Sequence, residues 1–135
     1  MATLNVALFG TDAQTGKITA TTKLVPKTDL QSGFDRFSPD NIAANMPMVD
    51  LLARFAAAKN ATPAQFALAW LLAQKPFIVS IPGTRNIDHL RENLAALDVL
   101  LTPADLSTLD VDFSKLTVHG GRMNEMQMRA VERAG

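Results

Sequence analysis

The apolar positions of this chain fall into two short runs and a series of helical stripes. Leu4 to Phe9 reads LNVALF, apolar except at Asn5 and closed by Gly10, a pattern that predicts a buried strand. From Gly10 to Phe37 the text is polar and interrupted by Gly16, Pro26 and Gly33, so residues 10–37 are expected to form a long loop with room for a short hairpin around Thr19 to Leu24. Met48, Leu51, Leu52, Phe55 and Ala56 then recur at helical spacing, which predicts a helix from about Pro39 to Lys59, kinked or broken near Met46 because Pro47 lies inside it.

A second helix is expected from Pro63 to Gln74, with Phe66, Ala69, Trp70 and Ala73 as its apolar stripe and Pro76 as its stop. Phe77-Ile78-Val79-Ser80-Ile81 reads as a second buried strand, bulky and β-branched, ended by Pro82-Gly83. A third helix begins after Asn86, with Ile87, Leu90, Leu94 and Leu97 on one face, and a fourth begins at Pro103, with Leu106 and Leu109 inward. The stretch Gln127 to Arg133 reads as either helical or frayed.

Three helix starts share one design. Ser38-Pro39, Thr62-Pro63 and Thr102-Pro103 each put a hydroxyl at the N-cap and a proline at the first helical position. The hydroxyl accepts a hydrogen bond from an orphan backbone N–H, and the proline needs none there. Thr62-Pro63-Ala64-Gln65 also fits a capping box, with Gln65 reaching back to the cap. Two strands separated by helical text suggest βαβ connectivity and a parallel pair, hence an α/β fold in a single domain, residues 1–135.

Composition narrows the function classes. Thirteen basic and thirteen acidic residues cancel among 135, so no electrostatic footprint points to nucleic acid or an anionic membrane. No apolar run approaches the roughly 20 residues a membrane helix needs, and the start lacks a secretory pattern, which makes a cytoplasmic location the simplest expectation. The absence of cysteine excludes disulfides and thiolate metal sites, and two histidines, His89 and His119, give little basis for a metal centre. Asp98, Asp105, Asp110 and Asp112 read as solvated or capping carboxylates, and Trp70 as core.

The best place for chemistry is Ile81-Pro82-Gly83-Thr84-Arg85-Asn86, followed by Asp88, His89, Glu92 and Asn93. A strand ends, a turn follows and a helix begins, and a helix amino terminus offers free N–H groups and a partial positive charge that suit a phosphate. Arg85 would add charge, and Thr84 or Asn86 would donate or cap. The plainer reading makes Asn86 an N-cap and Arg85 a solvated loop residue.

The stretch TPAQFALAWLLAQKPFIVSIPGTRNIDHLRENLAAL, Thr62 to Leu97, resembles the aldo-keto reductases. The likeness extends back through Arg36-Phe37 and Asp40-Asn41 and forward through Leu101-Thr102-Pro103 to Gly121-Arg122. It implies a (β/α)8 TIM barrel that uses NADP(H) to reduce aldehydes and ketones, with Leu4–Phe9 and Phe77–Ile81 as its seventh and eighth strands. The chain would then be the C-terminal portion of such a barrel, about two parallel strands with four or five helices. By the same likeness Gly83 and Thr84 meet the adenosine phosphate, Glu92 and Asn93 meet the adenine, and Arg85, Asn86 and His89 occupy the basic stretch between them. Asn86 and His89 stand where many members carry Lys or Arg.

The resemblance also implies an absence. The family's catalytic Asp, Tyr, Lys and His lie on earlier strands, and this sequence contains no tyrosine at all. The expectation is therefore a truncated oxidoreductase that keeps part of the NADP(H) surface and carries no catalytic residue. The alternatives are a non-catalytic helical interaction module, or a piece that complements a separate N-terminal half-barrel. A barrel of this class takes about 250 residues, so the exposed edges would be covered by rearranged helices, by a second copy in a homo-oligomer, or by the missing half.

Overall fold

A computed structural model of the chain describes residues 33–121. The expected strand Leu4–Phe9, the hairpin around Thr19 to Leu24, the Gly121-Arg122 match beyond Gly121 and the stretch Gln127 to Arg133 lie outside the described residues. Among the described residues four α-helices follow one another: α1 (Pro39–Ala58), α2 (Pro63–Gln74), α3 (Ile87–Leu94) and α4 (Pro103–Ser114). A 3₁₀ turn, Asp35–Phe37, precedes α1 within what the sequence suggested was loop, and another, Ala95–Asp98, extends α3.

The helix starts follow from their caps. Ser38, Thr62 and Thr102 accept the N–H of Asn41, Gln65 and Asp105 respectively, each with proline at the first position. The boxes at Thr62–Gln65 and Thr102–Asp105 are both reciprocal. α1 ends in a Schellman arrangement: Ala61 N–H donates to Ala56 O at 2.9 Å, Asn60 N–H donates to Ala57 O at 3.1 Å, and Asn60 takes φ 54°. Lys59, at the α1 C-cap, reaches Asp105 Oδ2 at 2.6 Å in the first turn of α4. Each charge thus sits at the helix end whose dipole favours it.

The proline inside α1 does not break it. α1 is helical without interruption from Pro39 to Ala58. Pro47 and Ala43, whose carbonyl loses its donor, are both on the exposed face, where that carbonyl is open to solvent.

The core lies between α1, α2 and α4. Ile42, Met48, Leu51 and Ala56 from α1 meet Phe66 and Trp70 from α2 and Leu109 and Phe113 from α4. Phe55 and Phe66 add a ring contact with centroids 6.0 Å apart. Leu106, Leu101, Val99 and Met46 pack at its margin. α2 is apolar all round, so it is covered on two sides: Phe66 and Trp70 face this core, while Leu68 and Leu72, about 200° round the helix from Phe66 and Trp70, line a groove with Ile78, Val79 and α3.

One expectation is corrected. Phe77–Ile81 is not a strand, and no strand occurs among the described residues. Exposure alternates along it, with Phe77, Val79 and Ile81 at 79%, 81% and 91% and Ile78 and Ser80 half-buried. That is the period of an extended chain, but a ladder needs a neighbouring strand and no described segment supplies one. The apolar stripe of α3 is not covered by the described residues. Ile87, Leu90, Leu94 and Leu97 are all exposed, because α3 leans on α2 by its other side and no described element covers the stripe. Trp70 is buried in the core cluster with Phe66 and residues of α1 and α4.

Candidate functional site

The turn into α3 is built by short polar contacts. Thr84 Oγ1 accepts the Asn86 N–H at 3.1 Å, an ST-turn that fixes the approach to the helix. Asn86 is the N-cap, and its Oδ1 accepts the Asp88 N–H at 2.9 Å. Of the first-turn donors that lack an intrahelical acceptor, Ile87 and His89 keep theirs. Arg85 is exposed and makes no hydrogen bond or ion pair with a described residue. Asp88 puts a carboxylate in the same turn, but Arg91 Nη1 pairs with it at 3.2 Å.

Gly83 lies on open ground. A Cβ built there meets no described residue within 4 Å, and its φ is not in the left-handed region. Neither crowding nor backbone conformation within the described residues accounts for a glycine at this position. Open space at a backbone is what the close approach of a ligand requires.

Glu92 and Asn93 lie on the later turns of α3, both half-buried. Glu92 Oε1 accepts a hydrogen bond from the Thr62 hydroxyl at 2.7 Å, which ties α3 to the N-cap of α2. Asn93 lines a groove of about 350 Å³ together with Leu68, Leu72, Ile78, Ser80, Pro82 and Leu97. The structure thus places all seven sequence candidates on one turn and one helix. It gives Asn86 and Glu92 structural partners, and it leaves Arg85 and the Asn93 carboxamide unengaged among the described residues. Thr62 was read only as a cap. Its bond to Glu92 joins positions 30 residues apart, and no local pattern signals it.

These groups fit a phosphate followed by a heteroaromatic ring: one free guanidinium, unengaged helix N–H groups, open backbone at Gly83, then a carboxylate and a carboxamide beside an apolar groove. Among the described residues no group of three or more His, Cys, Asp or Glu is placed to hold a metal ion. No described helix is long and apolar enough to cross a membrane.

The chain is similar to known proteins. An NADP(+) aldo-keto reductase of Schizosaccharomyces pombe is 36% identical over 97 residues, 72% of this chain and 28% of that protein. An aldo-keto reductase of Strobilurus tenacellus is 37% identical over 81 residues, 60% of this chain and 24% of that protein. The chain spans about a quarter of the length of these curated relatives. The profile of the Aldo/keto reductase family matches residues 5–111, and the chain belongs to that family.

Proposed function

We propose that this chain carries the adenosine-phosphate end of an NADP(H) site in an aldo-keto reductase, whose complete (β/α)8 barrel transfers hydride to aldehydes and ketones. The observation that carries the reading is the turn Gly83–Asn86. It delivers Arg85 and the N–H groups of Ile87 and His89, unengaged among the described residues, to one helix terminus, with Glu92 and Asn93 further along the same helix. The name of the relative from Schizosaccharomyces pombe, which includes NADP(+), supports the choice of cofactor.

When bound, the cofactor supplies the hydride. What this chain supplies is binding and orientation: Arg85 and the helix amides for phosphate, Glu92 and Asn93 for adenine. The reduction also needs a proton for the carbonyl oxygen. The family likeness assigns that proton to a tyrosine, and this sequence has none. Catalysis on this reading draws on residues beyond these 135.

Titration calorimetry with NADP(+) and with adenosine 2′,5′-bisphosphate tests the reading. Similar affinities are expected, because the chain grips one end of a long molecule. Much tighter binding of the whole dinucleotide, or no binding of either, overturns it.

A second reading is favoured by the exposure of Phe77, Val79 and Ile81 beside the exposed stripe of α3. An apolar surface of that kind is covered by protein when it can be, which fits a complementing half-barrel, a second copy of the chain, or a helical interaction module. Sedimentation of the purified chain decides, since a stable monomer leaves that face bare.

A further inference from the structure

Thr62 does two things at once. As the N-cap of α2 its oxygen accepts the Gln65 N–H at 3.2 Å, while Gln65 Oε1 accepts the Thr62 N–H at 2.9 Å. The capping geometry sets the side-chain rotamer, and a hydroxyl has one proton to give. That proton goes to Glu92 Oε1 at 2.7 Å.

Glu92 is an unusual choice for a simple tie between helices. It is half-buried and pairs with no cation among the described residues, its neighbour Arg91 being engaged by Asp88. A half-buried charge gives up hydration, and one neutral hydroxyl is poor compensation. A glutamine would accept the same bond without that cost. What the carboxylate adds is a second oxygen that can only accept. Oε2 has no partner among the described residues, and Thr62 holds it in place.

We propose that Thr62 is a positioning residue for base recognition: it anchors Glu92 by one oxygen so that the other accepts the exocyclic amine of an adenine ring. The inference rests on the reading above that Glu92 meets the adenosine end of the cofactor. Adenine presents an amine at this edge and hypoxanthine an oxo group. An anchored carboxylate welcomes the first and repels the second.

The test measures the binding of adenosine 2′,5′-bisphosphate and inosine 2′,5′-bisphosphate to the full chain by calorimetry. The parent is expected to prefer adenosine by roughly tenfold, the scale of one hydrogen bond to a charged group. Thr62→Ser keeps both cap and donor and retains the preference. Thr62→Asp keeps a capping acceptor but has no proton to give and repels Glu92, so the preference disappears while inosine affinity holds. A second variant, Glu92→Gln, stays bonded to Thr62 through its carbonyl oxygen and presents its amide N–H₂ outward, so the preference reverses toward inosine. An undiminished preference in Thr62→Asp, or no reversal in Glu92→Gln, overturns the positioning role while leaving the cofactor reading standing. A parent that binds both ligands equally overturns the role of Glu92. A parent that binds neither overturns the cofactor reading and this inference together.

Discussion

The Asn45 carboxamide exchanges two hydrogen bonds with the backbone of His119: Nδ2 donates to His119 O and Oδ1 accepts the His119 N–H, each at 2.9 Å. A side chain on α1 thereby pairs with main chain as a neighbouring strand would. Arg36 adds to this strap, its Nε and Nη2 donating to Gly120 O at 3.3 Å and 3.2 Å. Gly120 sits at φ 82°, and a Cβ there would lie 2.5 Å from Arg36 Cα, so only glycine fits this close approach.

Asn45 is almost fully buried, and its loss strands both polar groups of His119. Asn45→Ala is expected to cost about 1–3 kcal/mol, the net worth of two hydrogen bonds at roughly 0.5–1.5 kcal/mol each. The urea midpoint should fall with an unchanged slope. A midpoint equal to the parent's means the strap adds nothing to stability.

Trp70 is 4% exposed and packs within the three-helix core. Trp70→Ala should cost about 3–5 kcal/mol through lost burial and a residual cavity. Trp70→Phe should cost much less, because the buried indole N–H has no hydrogen-bond partner among the described residues to lose. Exposed Arg85→Ala should stay within about 0.5 kcal/mol of the parent. Denaturant melts of the three variants check the order. Equal losses in Trp70→Ala and Arg85→Ala contradict the core described above.

The carboxyl of Asp105 is held at about 2 against an ordinary 3.8, first by the Lys59 ammonium that donates to it and then by the Thr102 N–H and hydroxyl. A folded-state value below the unfolded one favours folding while the group is ionised. That contribution is complete above pH 3.8 and fades as pH falls from there to about 2. Asp105→Asn should therefore be less stable than the parent at neutral pH and lose less stability between pH 4 and pH 2. Urea midpoints across that interval check it, and parallel curves for the two proteins rule it out.

The 135-residue chain alone is expected to give no NADPH-dependent turnover of a reactive aldehyde. It lacks a tyrosine to act as general acid, a role worth roughly 10²–10⁴-fold. The readout is loss of NADPH absorbance against a protein-free blank. Turnover well above that blank refutes the claim.

The helix starts were legible residue by residue. Ser38-Pro39, Thr62-Pro63, Asn86 and Thr102-Pro103 mark the four N-caps, because capping joins groups three or fewer positions apart. α2 ends at Gln74, as the proline at 76 predicted. The seven site candidates were legible as one strand-to-helix stretch, and the structure keeps them on one turn and one helix.

Partners were not legible. The stripe Ile87, Leu90, Leu94 and Leu97 has the right period, yet periodicity defines a face without saying what meets it, and here no described residue covers it. Phe77–Ile81 has strand composition but no ladder, since a strand's hydrogen bonds belong to its neighbour. Thr62 with Glu92 and Asn45 with His119 join positions 30 and 74 apart. Caps and periods arise from contacts within a few residues and can be read along the chain. Pairings of this second kind exist only after helix packing has brought distant backbone and side-chain groups within hydrogen-bonding distance.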